Sequence, residues 1–355
     1  MSDRPSPDTL GMWEGAAALP GQFAASFDAA RRLWGATDGI PAPARAADRA
    51  GVDVHAVAAC GLGTGGAACE AVAALTAPRL EVPFWAGHSS EVPAFVDRHT
   101  LFFAVSASGA TDETLAAASE ADARGALVVG VGGDESSALA RLADERGFVW
   151  FPLGGRGWRT VAALAAATMP LLVVLARVGL VPDAGPSVEA AASALARRRD
   201  ALLASGGSAE VLARRIGRTI PLLYGAEGVA AVAADWWKTR VNLNAKAPAF
   251  AGALPTVTYG ELAGWGQGGD VTRQTMSLVL LRHAGEGPRS AALFGSVRAA
   301  TEEVMADVLE VWAEGADDLG RFFDLVLVGE VVSLHLAGRE GVDPGPVPAV
   351  DDAHA

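Results

Sequence analysis

Thr100-Leu101-Phe102-Phe103-Ala104-Val105-Ser106-Ala107-Ser108-Gly109-Ala110-Thr111-Asp112-Glu113-Thr114 joins an apolar run, a knot of hydroxyls around one glycine, and an acid-bearing helix start. An uninterrupted apolar run of that length suits a strand buried on both faces, as in a parallel sheet. The hydroxyls follow where backbone N–H groups gather at the positive end of a helix dipole, so the stretch predicts a site for a phosphate-sized dianion. A Ser or Thr in this position also serves as an ordinary helix cap. Capping needs one hydroxyl, whereas Ser106, Ser108 and Thr111 supply three, which favours the anion site.

On either side of this stretch, strand and helix patterns alternate. Strands are expected at 52–60, 80–85, 100–105, 126–131 and 148–152, with helices at 65–76, 90–96, 112–124, 135–145 and 160–180. A helix is expected ahead of them at 13–34, interrupted at Pro20-Gly21. A second series follows: helix 187–203, strand 219–224, helix 227–241, strands 277–281 and 307–312, and helix 319–336. The fold class is therefore α/β, with two domains, each a mostly parallel sheet flanked by helices on both faces. Turn formers at Val181-Pro182-Asp183-Ala184-Gly185-Pro186 mark the boundary. The expected organisation is a tail and helix over 1–45, a first domain over 46–183, a second over 184–345 and a loose tail over 346–355. The two domains read as two copies of one α/β unit.

The chain has 355 residues, 51% of them hydrophobic and 19% charged, enough to bury a large core. Its net charge of −13 is unfavourable for nucleic acid and for anionic membranes, so neither is expected as a partner. A phosphate would have to be held by local dipoles and hydroxyls. The apolar run ahead of Arg177 contains Pro170 and reads as a buried helix rather than a membrane span. With no signal-peptide pattern at Met1–Asp8, a cytoplasmic location is expected. Cys60 and Cys69 read as buried free thiols, and the six histidines show no metal-ligand spacing, so no metal is expected.

Gly61-Leu62-Gly63-Thr64-Gly65-Gly66 follows the first strand and satisfies G-x-G-x-x-G, with Glu81 twenty residues after Gly61. A dinucleotide site needs that acid at the carboxyl end of the second strand, and Glu81 lies at its beginning. The alternative is that this loop and Ser106–Thr111 face one ligand beyond the strand ends. On that reading Gly63, Thr64, Gly65, Ser106, Ser108, Gly109 and Thr111 bind phosphate and sugar, with no cofactor.

Several motifs in order resemble the bifunctional phosphoglucose/phosphomannose isomerases, two-domain members of the SIS (sugar isomerase) superfamily. Gly61–Gly65 is similar to G-M-G-G-S, and Ser106–Thr114 to S-Y-S-G-N-T-x-E-T. Gly154–Arg159 resembles G-G-x-x-P-R, Asn242–Lys246 N-E-N-A-K, Pro255–Glu261 P-E-L-N-H-N-E, and Gly341–Pro344 the closing G-x-D-P. The resemblance implies a sugar-phosphate ligand, a homodimer and an active-site arginine at Arg159. It also implies that Leu243 and Tyr259 occupy the positions of the family's base glutamate and ring-opening histidine. Leucine cannot accept a carbon-bound proton, and tyrosine is a weak base at neutral pH. The expected function is binding of a hexose 6-phosphate-like ligand without ordinary isomerase activity, in a regulatory role. The alternatives are an isomerase in which Arg159, Tyr259, Glu261 or His88 carries the chemistry, and a nicotinamide-dependent oxidoreductase.

Overall fold

The computed structural model describes residues 7–35, 53–153 and 161–348. They divide into two compact units, one of residues 21–189 and the other of residues up to 20 together with those from 190 onward. Helix α1 (Met12–Gly35) runs unbroken through Pro20, although the sequence suggests an interruption there. A proline inside a helix removes one backbone hydrogen bond. Against that loss, Met12, Ala16, Leu19, Phe23, Phe27, Ala30 and Trp34 form a buried stripe at helical spacing, which holds the helix continuous.

The 21–189 unit is built on β1 (Ala56–Gly61), β2 (Phe84–Gly87), β3 (Thr100–Val105), β4 (Leu127–Val131) and β5 (Val149–Phe151). These form a parallel sheet in the order β2-β1-β3-β4-β5. Helices α2 (Thr64–Thr76), α3 (Asp112–Ala123), α4 (Ala138–Arg146) and α5 (Val161–Arg177) complete it. Ala117, Ala118 and Ala121 of α3 are buried in one core with Phe102, Ala104 and Val128. Their small side chains let that helix lie close to the strands. Helix α5 is buried all round from Val161 to Leu175, despite Pro170. No helix among the described residues is long and apolar enough to cross a membrane.

The helix expected at 90–96 is absent; residues 88–99 are irregular chain and turns. Pro93 explains this, since the residue before a proline is pushed out of the helical region. Strand β2 starts at Phe84, so Glu81 precedes it altogether and stands far from its carboxyl end.

The second unit contains α6 (Gly185–Leu203), which begins in the first, then α7 (Ser208–Ile216), β6 (Ile220–Ala226), α8 (Val229–Ala245) and β7 (Phe250–Leu254). Two 3-10 turns, Thr256–Tyr259 and Glu261–Gly264, lead to α9 (Gly269–Thr275), β8 (Met276–Arg282), α10 (Pro288–Thr301), β9 (Asp307–Trp312) and α11 (Asp318–Glu340). Its parallel sheet has the order β7-β6-β8-β9. That matches β2-β1-β3-β4, so β6 corresponds to β1 and β8 to β3. The likeness extends to detail: the residue ahead of α2 is Gly63 at φ 53°, and the residue ahead of α8 is Gly228 at φ 88°. Both turns need a left-handed residue, which glycine supplies without strain. The two domains are thus copies of one unit, as the sequence suggests.

Helices α8 and α11 enclose a buried ionic group. Arg240 Nε lies 2.8 Å from Glu330 Oε2, with both side chains almost fully buried. Asn244 accepts from Arg240 at 2.9 Å and donates to Glu330 at 3.3 Å and to Ser333 at 2.8 Å. Trp237 Nε1 donates to Leu325 O at 2.6 Å. His335 of α11 is half-buried with Trp13 edge-on at 4.9 Å, and its Nε2 finds no hydrogen-bond partner among the described residues. Burial pushes its pKa down, which keeps the ring neutral.

Candidate functional site

In the order β2-β1-β3-β4-β5, chain direction reverses across the sheet between β1 and β3. Ligands of open α/β sheets settle beyond the carboxyl ends of strands at such a switch point. The two loops singled out in the sequence emerge there, because Gly61 and Val105 are register partners.

The first loop is shaped by closeness. A Cβ on Gly65 would stand 2.2 Å from Val105 O, so the start of α2 presses directly on β3. Gly65→Ala is expected to destabilise the protein by about 3 kcal/mol, since a backbone carbonyl cannot yield as a side chain can. Urea unfolding would measure this, and an unchanged midpoint would contradict the packing. Gly63 is exposed, Thr64 opens α2 half-exposed, and no side chain caps that helix among the described residues. In its first turn, Gly65 donates its N–H to Leu62 O at 3.0 Å and Ala67 to Gly63 O at 3.0 Å.

The second loop gathers the hydroxyls. Ser106 continues the sheet by donating its N–H to Val131 O at 2.9 Å. Its side chain is buried, with Oγ 2.8 Å from Thr111 Oγ1 and 3.5 Å from Ser108 Oγ, and it accepts the Thr111 N–H at 3.3 Å. Exposed Ser108 accepts the Ala110 N–H at 3.3 Å. Gly109, at φ 68°, turns the chain, and its carbonyl receives the Leu139 N–H at 2.8 Å. Thr111 occupies the cap position of α3, yet its side chain makes no capping bond. The hydroxyl turns instead to Ser106. The capping explanation for this cluster thus fails at Thr111, and the α3 terminus lacks a side-chain cap beside three hydroxyls.

His88 follows β2 and stands next to α2. Its Nδ1 is 3.1 Å from Gly61 O and its Nε2 is 3.0 Å from Glu70 Oε1. A carbonyl can only accept, so Nδ1 carries a proton, and Glu70 occupies the other nitrogen. With both nitrogens engaged, His88 braces the loop after β2 against α2 and has no nitrogen to offer a substrate. Cys60 donates to Ser89 O at 3.1 Å, and burial, followed by the charge of Glu113, pushes its thiol up to about 11. Burial likewise raises the Cys69 thiol well above its ordinary value. Neither thiol is a nucleophile at neutral pH.

The remaining sequence candidates divide. Arg159 lies outside the described residues. Leu243 sits half-buried on the last turn of α8, and Tyr259 is 81% exposed on the first 3-10 turn. Glu261 accepts a hydrogen bond from the hydroxyl of Tyr224, a buried residue of β6. Desolvation, then the bond to Glu261, drives the Tyr224 pKa upward. Glu261 therefore has a structural task, fastening the 3-10 segment to the sheet. Lys246 does likewise: it ends α8 in the left-handed region, and its ammonium donates to Leu243 O and Pro344 O. The motifs around Asn242–Lys246 and Gly341–Pro344 are thus held together.

A feature not foreseen from the sequence lies at the carboxyl end of β8, the counterpart of Ser106–Thr111. Here the Glu286 carboxylate folds back onto the strand end. It accepts the His283 N–H at 2.9 Å and two contacts from Arg282 Nε at 3.0 and 2.9 Å. The Arg282 guanidinium is held between the rings of Phe294 and Trp312, 4.2 and 4.4 Å from their centroids. At the strand end that corresponds to Ser106–Thr111, the second domain thus carries a carboxylate paired with a guanidinium.

Residues 53–146 match the family model of the SIS domain, and residues 206–355 match that of the bacterial phospho-glucose isomerase C-terminal SIS domain. The bifunctional phosphoglucose/phosphomannose isomerase of Caldicellulosiruptor bescii is 25% identical over 303 residues, 84% of this chain and 88% of that protein. Its namesake in Aquifex aeolicus is 27% identical over 260 residues, 73% of this chain and 77% of that one. Among solved structures, the tagatose-6-phosphate ketose/aldose isomerase of Escherichia coli superposes with a TM-score of 0.70 at 14% identity, covering 98% of both chains. The C-terminal domain of glucosamine-fructose-6-phosphate aminotransferase from Francisella tularensis gives 0.69 at 17% identity, covering 94% of this chain and 97% of that one.

Proposed function

We propose that this chain, which carries two SIS domains and is a homologue of the bifunctional phosphoglucose/phosphomannose isomerases, binds a hexose 6-phosphate-like ligand without ordinary isomerase turnover. The observation that carries the reading is Thr111. It stands at the cap position of α3 but commits its hydroxyl to Ser106, leaving hydroxyls and a helix terminus for a phosphate. The ligand's phosphate sits at Ser106, Ser108, Gly109 and Thr111, with Gly63, Thr64 and Gly65 forming the facing wall. Sugar nomenclature in the names of the relatives supports the ligand class.

The loss of turnover rests on Leu243 and Tyr259. Moving a proton between adjacent carbons needs a base poised near working pH. A leucine offers none, and Glu261 is engaged with Tyr224. The binding form of the protein is a cytoplasmic homodimer.

Thermal unfolding with fructose 6-phosphate, mannose 6-phosphate, glucosamine 6-phosphate and NAD tests this. A ligand at a hundred times its dissociation constant stabilises by about 2.7 kcal/mol, so a hexose phosphate is expected to raise the midpoint by several degrees and NAD to leave it unchanged. Stabilisation by NAD alone would overturn the assignment. A coupled isomerase assay on the same protein is expected to show no turnover. Turnover abolished by Glu261→Gln would replace the binding role with an isomerase.

A further inference from the structure

Away from the cradle, three side chains with metal-binding atoms meet at the opposite, amino-terminal end of the central strands of the first sheet. Asp53 and His55 lie just ahead of β1, and His99 lies just ahead of β3. They are neighbours because β1 pairs with β3, with Ala56 opposite Thr100, and because the His55 N–H donates to His99 O at 2.9 Å. The two imidazoles stack with centroids 4.5 Å apart and planes 13° from parallel. Asp53 closes the group, with Oδ1 3.0 Å from His55 Nε2 and Oδ2 3.9 Å from His99 Nδ1. Its backbone carbonyl lies 3.2 Å from His99 Nδ1, a contact that an ion bound at that nitrogen would displace, and Asp97 receives the His99 backbone N–H at 2.8 Å. One donor atom from each of the three residues lies within 4.8 Å of the others.

We propose that Asp53, His55 and His99 bind a divalent transition ion of the zinc class. Two imidazoles and a carboxylate form a donor set that suits such ions. Calcium and magnesium call for oxygen ligands throughout. The ion takes the place of the proton between His55 Nε2 and Asp53, and three protein ligands leave room for water. Strands β1 and β3, six residues each at about 3.3 Å per residue, separate it from the cradle by roughly 20 Å. The site is therefore a clasp across the starts of the two central strands rather than part of any reaction. Six histidines spread through the sequence do not disclose it, because its members come from two strands that only the sheet brings together.

Calorimetric titration of untagged, chelator-stripped, full-length protein with ZnCl2 tests the proposal, with the visible absorption of added Co2+ as a second probe. One ion per chain is expected, with a rise of several degrees in the thermal midpoint on zinc addition. His99→Gln and Asp53→Asn, which preserve side-chain size at solvent-accessible positions, are each expected to weaken zinc binding tenfold or more. His55→Ala should do the same. The absence of saturable binding by the unaltered protein would overturn the proposal, as would binding undiminished in all three variants.

Discussion

Ser106→Ala combined with Thr111→Val is expected to lower affinity for a hexose phosphate by roughly 10²-fold or more. A hydrogen bond to a charged group contributes about 1.5–3 kcal/mol, and two hydroxyls are removed here from one phosphate. Ser106 is the centre of the cluster, within 2.8 Å of Thr111 Oγ1 and 3.5 Å of Ser108 Oγ. Its removal therefore disorganises the donors that remain. Thr111→Ser keeps the hydroxyl and should keep most of the affinity. Ligand titration by calorimetry measures both, with the unliganded midpoint showing that the fold is intact. Affinity unchanged in the double variant would remove the cradle from this loop.

Glu330→Leu should destabilise the second unit by about 3–5 kcal/mol, since it leaves the guanidinium of Arg240 buried without its counter-ion. For a unit of that size unfolding by itself, this corresponds to a fall of roughly 10 °C in its midpoint. Arg240→Met added to Glu330→Leu should recover most of the loss, because a buried ion pair and an apolar pair of similar volume are often nearly equal in stability. Asn244 limits the recovery, as its amide loses the Glu330 carboxylate as acceptor and the Arg240 guanidinium as donor. Equal destabilisation by the single and double variants would mean that the pair is not what holds α8 to α11.

The sheet strands nearest the switch point were readable because their chemistry is uniform. Thr100–Val105 is a continuous apolar run with a hydroxyl loop at its end, and it is a strand over those six residues. Asp307–Trp312 was equally legible. Strand β7, Phe250–Leu254, was not: its residues are mostly small and it pairs with only one neighbour, so neither β-branched side chains nor alternation mark it. Helix α10 escaped notice because its apolar residues do not repeat at helical spacing, burying only Phe294, Val297 and Thr301. The seven residues expected to hold a phosphate come from two loops, each read from local order, and the pairing of β1 with β3 sets the two loops side by side. Glu286 stands between two glycines, and its return to the end of β8 depends on contacts that sequence adjacency does not reveal.

The inward-folded Glu286 carries an implication for ligand count. A chain with two copies of one unit would, by symmetry, offer two anion pockets and could show interaction between them on saturation. Here one copy carries a resident carboxylate that a phosphate would have to displace from a guanidinium and a backbone N–H. On the binding role proposed for the first copy, a hyperbolic isotherm with one equivalent per polypeptide is therefore expected, and two equivalents would mean that the Glu286 carboxylate yields its place.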